Sequence, residues 1–373
     1  MTPKNHKMRG FTLIELMVGV VISIIASIVI FQVFAVAERQ KRAVTGASDA
    51  QVNGALSIDT IEREVRMAGF GLLNSVLNDC NPASTYSYYD SGSGTPGPLA
   101  NFATPVSIVD GGTAPDTISI AISGGDFDAN FRFGRTTLRS NMPQSSAELN
   151  VDTTHGCAVG DLMMMVQPCT SGTTVAGSCT LMQITQVQDS ALKIQHNPGG
   201  TPSYNPPNNY QNDNNWPAFK MDSSCKAYGV CMPAPTNSGT VFSVTSRQLQ
   251  IQKGASAAVP IAPEIMDMQA QYGLVAGATG APTWQEASGA WAGALTKAQS
   301  SQIKAIRVAI IARSGEYEKP TNTAGTCETT TAVAGLSTWA TFDTTAWPSA
   351  WQCYRYKVFE TVVPLRNVIW SAT

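Results

Sequence analysis

The chain carries little charge. Of 373 residues, 24 are Lys or Arg and 26 are Asp or Glu, so charged residues make up 13%, about half the usual share of roughly 25%. With no basic surplus there is no field to hold a phosphate backbone, which excludes nucleic acid as a partner. Histidine is scarce, at three residues, and no two cysteines stand in C-x-x-C spacing; zinc-ligand patterns are missing. The chain also lacks a G-x-S-x-G elbow, an HExxH helix and a Walker A loop, which removes the common hydrolase and nucleotide-binding signatures. Disorder throughout is excluded as well, because 43% of residues are hydrophobic and many sit in alternating runs.

One long apolar run stands out. A basic leader with Lys4, Lys7 and Arg9 ends at Gly10, and Phe11-Thr12-Leu13-Ile14-Glu15 opens a stretch that stays apolar to Ala37 with Glu15 its only charge. As a helix the stretch is about 40 Å long, more than the roughly 30 Å hydrocarbon core of a bilayer. A carboxylate inside it costs on the order of 2–4 kcal/mol and persists only with a role or a partner. A secretory signal is one reading, since Ala35-Val36-Ala37 offers a cleavage site that would release a secreted binding protein or enzyme. Its apolar core would then be too long for the usual roughly 7–15 residues. A plain anchor, with Glu15 reaching toward the headgroups, is the second. Charge leaves orientation open, because Arg39, Lys41 and Arg42 stand beyond the run, offset by Glu38.

The third reading comes from a resemblance. Gly10-Phe11-Thr12-Leu13-Ile14-Glu15 resembles the cleavage motif of type IV pilins and the related pseudopilins. The resemblance implies that a prepilin peptidase cuts after Gly10 and methylates the new amine of Phe11. Residues 1–10 would be lost as a cytoplasmic leader, taking the formal side-chain charge from −2 to −5. Residues 11–37 would be kept as the transmembrane half of a long helix. Glu15 lies four residues from Phe11, on the same helix face. Its carboxylate can meet its own chain's amine or capture that of a neighbour joining the fibre.

The cysteines point outward from the cytoplasm. Cys80, Cys157, Cys169, Cys179, Cys225, Cys231, Cys327 and Cys353 all follow the apolar run, and an even count in a loop-rich, exported chain predicts disulfides. Eight cysteines allow 105 pairings. The short spacings favour Cys169–Cys179 and Cys225–Cys231 as local loops.

Beyond the membrane the helix is expected to continue over 38–69. Ile58, Ile61, Val65 and Ala68 recur at helical spacing, the pattern of a face packed on a globular body. Glu62 and Arg66 make an exposed pair, and Gly69 and Gly71 a stop. Gly46 and Gly54 weaken the middle and suggest a bend. From Phe11 to Ala68 is about 87 Å. Afterwards the period changes to two, with strands expected at Asp116–Ile122, Leu181–Gln188, Thr240–Ser246, Gln248–Gln252, Glu264–Tyr272, Ile303–Ala312 and Arg355–Val363. The fold class is α+β: a long N-terminal helix packed on a large antiparallel β-rich head, 70–373, with long loops and disulfides.

Later segments sharpen the resemblance. Asp59–Phe70, Ile303–Ile310 and Tyr356–Asn367 resemble the end of the long helix and the closing strands of PilW-type minor pilins. That implies a non-enzymatic subunit of a type IV pilus that helps prime assembly, in a tip complex with other minor pilins beside the major pilin, with a large tip adhesin as further cargo. It implies an inner-membrane anchor with a periplasmic head before assembly and an extracellular fibre, at its tip, afterwards. A type II secretion pseudopilin is the alternative. No proline interrupts the apolar half, which disfavours the bulk repeating subunit.

Other candidates are weaker. Gly92-Ser93-Gly94-Thr95-Pro96-Gly97 matches G-x-G-x-x-G, but its prolines and the lack of a preceding strand make it a loop. Asp126, Asp128 and Asn130 copy the first ligands of a calcium loop, yet Phe131 and Thr137 stand where Gly and Glu are required. Calcium remains the one cofactor alternative there, against turn residues bonding their own backbone. His155 and His196 read as solvated loop residues. Trp284, Trp291, Trp339, Trp347 and Trp351 read as core or subunit-contact residues, with an aromatic platform for a glycan as the alternative.

Overall fold

The computed structural model describes residues 12–69, 79–80, 85–86, 88–89, 96–97, 104–120, 134–142, 148–171, 176–197, 205, 225–232, 240–253, 256–277, 280–293, 295–320 and 324–367. Leu13–Arg66 forms one unbroken helix of 54 residues, the stalk, about 81 Å long. No break falls at Gly46 or Gly54; both are buried against the head, so the expected bend is corrected to a contact. The stalk ends on Met67, whose N–H reaches the carbonyls of Glu64 and Val65, and Gly69 takes φ +71°, a left-handed conformation that suits glycine at a helix end.

Four strands make the sheet that carries the stalk, in the order Thr283–Gln285, Ile265–Leu274, Ile303–Arg313 and Tyr356–Pro364, all antiparallel. Ile306, Val308, Ile310 and Ala312 of the long central strand face the stalk-side core with Ile61, Val65 and Ala68. Ala309 and Ile311 face the other way, under Val333 and Phe342 of the excursion that joins the last two strands. This two-sided burial explains why the strand reads as a continuous apolar run.

A five-stranded sheet follows in the order Val259–Pro263, Gln248–Lys253, Thr240–Thr245, Thr117–Ile120 and Val106–Val109. Farther out, Thr85–Tyr86, Ser178–Gln183, Leu162–Gln167, Tyr228–Met232 and Arg135–Thr137 form a second five-stranded sheet. Leu162, Met164 and Val166 join the stalk-side core, while Met163 and Met165 join a satellite core with Met142, Met182, Leu149 and Ile194. The strand expected over Leu181–Gln188 is two strands. Ile184 donates to Asp161 and Thr185 to Gln195, and that turn of direction sends Gln186–Gln188 into a separate small sheet with Lys193–Gln195 and Glu148–Asn150. The whole is an α+β fold.

Candidate functional site

The stalk has two halves with opposite surroundings. From Leu13 to Ala37 every residue is exposed, and this is a helix long and apolar enough to cross a membrane. Gly10 and Phe11 lie outside the described residues. At the helix start Thr12 is the cap: its hydroxyl accepts from the Glu15 N–H at 3.3 Å, and the Glu15 carboxylate accepts from the Thr12 N–H and hydroxyl at 3.0 Å each. This is a reciprocal capping box, which neutralises two otherwise unpaired donors. Glu15 therefore has a partner within its own first turn. The Thr-x-x-Glu pattern signals such a cap, and it is the signal that finds Thr12 as a residue acting with Glu15. Farther along, Ser23 and Ser27 donate their hydroxyls to the carbonyls four residues back at 2.8 Å, hiding polar groups that lipid would penalise.

The second half is a docking face of small residues. Gly46, Ala50, Gly54 and Ser57 are buried in sequence, followed by Ile61 and Val65. A Cβ on Gly46 would touch that of Ser314 at 3.0 Å, and one on Gly54 would overlap the Phe359 ring. Polar ties flank the contact. Lys253 reaches the buried Glu64 at 3.0 Å, Thr361 donates to Glu62 at 3.3 Å, and Asn367 donates to the Ala68 carbonyl at 3.0 Å. Glu62 and Arg66 form the expected pair. The stalk is thus clamped to the C-terminal strands along its upper half and left bare below.

Two family matches fall on these two features. The prokaryotic N-terminal methylation motif matches residues 5–31, and the family described as Type IV Pilus-assembly protein W matches residues 235–367. The chain thus joins a pilin-type N-terminal methylation motif to a PilW region, and in both it resembles PilW-like type IV pilins. Among solved structures, a type IV-like pilin from Thermus thermophilus is similar at 16% identity, over 35% of this chain and 65% of that one, with a TM-score of 0.19. The match therefore spans just under two thirds of that pilin's length. No curated protein matches the chain.

The head is stapled by four disulfides: Cys80–Cys179, Cys157–Cys231, Cys169–Cys225 and Cys327–Cys353. The local pairs Cys169–Cys179 and Cys225–Cys231 are corrected. Cys231 lies within the extended strand Tyr228–Met232, just beyond Cys225, and six residues of extended chain span about 20 Å, far beyond bridging distance. Cys179 turns into the stalk-side core beside Cys80, whereas Cys231 belongs to the satellite core.

Two carboxylates lie deep in the head. Asp116 and Asp267 are each 2% exposed. Asp116 accepts from the N–H groups of Gly111 at 2.9 Å and Ala270 at 2.7 Å. Asp267 accepts from Met268 at 2.7 Å and the Gln269 amide at 3.1 Å. Burial pushes both carboxyls up to about 6, against the pull of those donors, with Asp110 and Asp267 adding repulsion at Asp116 and Asp343 at Asp267. Asp116 stitches the turn before Thr117 onto the strand Ile265–Leu274, and Asp267, at the register shift of that strand, holds the Gln269 amide that also donates to the Ala114 carbonyl of the turn.

The other candidates disperse. Asp126, Asp128 and Asn130 lie outside the described residues, as do Gly92–Thr95; Tyr88–Tyr89 is a short strand paired with Pro96–Gly97, so the expected lack of a strand before those glycines is corrected. His155 is exposed, whereas His196 is buried, so the solvated reading of His196 is corrected: it follows the strand Lys193–Gln195 into the small sheet. Trp291 packs on Tyr272. Trp347 stacks on Tyr356 with centroids 5.0 Å apart and meets Trp351 edge-on. Trp284 and Trp339 each receive the Arg307 guanidinium, at 4.8 and 4.3 Å.

Proposed function

We propose that this pilin is a minor subunit of a type IV pilus: a non-enzymatic, membrane-anchored protein that helps prime fibre assembly within a small tip complex. The observation that carries the reading is the pairing of a bare apolar half-stalk opening on Glu15 with a PilW region that clamps the other half. The prepilin peptidase removes residues 1–10 and methylates Phe11. The head then stands in the periplasm while the stalk holds the inner membrane, and on assembly the subunit joins other minor pilins above the major pilin, with a large tip adhesin as further cargo. Glu15 leaves its own cap to take the amine of a neighbouring Phe11, a charge pair that sets axial register in apolar surroundings.

A type II secretion pseudopilin shares the opening motif; the pilus-assembly match over residues 235–367 favours the pilus. N-terminal mass analysis of the mature chain tests the reading. Methylated Phe11 supports it, and a terminus at Glu38 overturns it. Gly10→Leu is expected to abolish the mature-sized band, because the peptidase needs a small residue there.

A further inference from the structure

We propose that the strand Tyr356–Pro364 is a docking edge that accepts an extended strand from the head of a neighbouring pilin-type subunit. The inference rests on the fibre-subunit reading above and names the part of the head that makes the contact.

Tyr356–Pro364 is nine residues long and pairs on one side with Ile303–Arg313 in unbroken register, from Tyr356 opposite Arg313 to Pro364 opposite Ala305. Among the described residues no strand lies on its other side. The remaining described edges are blunted. Thr283–Gln285, Arg135–Thr137, Gln186–Gln188 and Glu148–Asn150 have three residues each, Thr85–Tyr86, Tyr88–Tyr89 and Pro96–Gly97 have two each, and Val106–Val109 has four. Val259–Pro263 carries two prolines and a register shift. Long regular edges are normally interrupted, because a row of unpaired N–H and C=O groups templates another strand. This edge has proline only at its last position and is rich in Val, Tyr, Phe and Thr, residues that favour strands.

Backbone parity shows what the edge offers. The Leu365 N–H donates to the Lys304 carbonyl, and the Ser314 N–H donates to the Arg355 carbonyl. Odd-numbered residues therefore bond inward, and the N–H and C=O groups of Val358, Glu360 and Val362 face outward. Groups at that spacing are satisfied by water or by another extended backbone, and by no helix. The occupant is a β-strand.

Position selects the owner of that strand. The edge runs beside the stalk in the same direction: Gln51 meets Lys357, Gly54 meets Phe359, Glu62 meets Thr361 and Ala68 meets Asn367. Val44, Gln51, Ala55 and Glu62 recur at spacings of seven, four and seven, one row of the helix. Val44, 70% exposed, starts that row. A subunit whose stalk lay along that row would pass beside Tyr356–Pro364, within reach of a strand from its head or from the next head in the fibre. Val362, 55% exposed on the edge, sits where the added strand would cover it.

Val362→Pro tests this, because it removes an outward N–H that makes no inward bond, while Val362→Thr keeps the N–H. V362P is expected to melt within a few degrees of wild type yet fall at least tenfold in sheared pili, with V362T at the wild-type level. V362P at the wild-type level in pili overturns the docking edge. A photo-crosslinking amino acid at Val362 gives a readout that does not depend on V362P folding: attachment to a pilin head supports the edge, and attachment to lipid alone or to nothing in intact pili overturns it. Absence of the wild-type chain from pili would remove the fibre reading itself; wild type present with V362P unaffected removes the docking edge alone.

Discussion

Gly54 lies so close under Phe359 that a Cβ built on the glycine would fall 2.0 Å from the ring's Cε2. The stalk approaches its sheet at that point backbone to ring, with no side chain between. Gly54→Ala should therefore lower stability by roughly 1–3 kcal/mol through overpacking, although the same change in an exposed helix would gain about 1 kcal/mol. Thermal unfolding of the full chain in detergent checks the sign. Combining it with Phe359→Leu should recover part of the loss, since the two positions share one contact.

The Asp116 and Asp267 carboxyls make stability depend on pH in an unusual direction. Both titrate near 6 in the folded chain, above the ordinary 3.8, so between about pH 4 and 6 the folded state binds more protons than the unfolded. Stability contributed by these groups is then present below the unfolded value and lost as pH rises through 6. The melting temperature should rise by a few degrees between pH 7.5 and 5. Asp267→Asn is the cleaner probe, because one oxygen, Oδ1, accepts both of its hydrogen bonds, and the amide can keep them. The variant should be more stable than wild type at pH 7.5 and should flatten the pH response; a steeper slope would sink the assignment.

Local spacing revealed what neighbours in sequence decide, and missed what distant segments decide. Ile61, Val65 and Ala68 stood at helical intervals and are fully buried, because a helix face is set within a few turns. Gly46 and Gly54 read as weak points, since nothing nearby in sequence announces the Ser314 and Phe359 side chains that require them. The closing strands were legible from their own apolar runs. The outer sheet was not, because it places Tyr228–Met232 beside Leu162–Gln167 across a long stretch of chain. The Thr12–Glu15 cap is written in the Thr-x-x-Glu spacing, which overlaps the pilin-type motif at the same residues.

The disulfide Cys80–Cys179 closes a 99-residue separation between the end of the stalk region and the outer sheet. In the chain-entropy account a loop of that size contributes roughly 4–5 kcal/mol by restricting the unfolded chain. The double substitution Cys80→Ala with Cys179→Ala should therefore lower the denaturation midpoint markedly. Hydrogen exchange should localise the loss to Ser178–Gln183 and Leu162–Gln167, leaving Ile303–Arg313 protected, because that strand is held by the stalk and by its own two neighbours. Uniform loss across both sheets would show that the two parts unfold as one unit.

Glu15→Val separates anchoring from assembly. Valine raises the apolarity of the half-stalk, so membrane insertion should be kept or improved. The capping box is lost with the carboxylate, but its cost, about 1 kcal/mol or less in exposed first turns, is small beside the burial of a 25-residue span from Leu13 to Ala37. Processing at Gly10 should proceed, since the peptidase meets the chain before the span. What the variant lacks is the acceptor for a neighbouring Phe11 amine, so its amount in sheared pili should drop at least tenfold while the membrane pool stays level. Glu15→Gln sharpens the test. The amide oxygen can still accept from the Thr12 N–H, but it offers no charge to an ammonium group. If Gln behaved as wild type, the cap would be the working interaction and the intersubunit pair would be refuted.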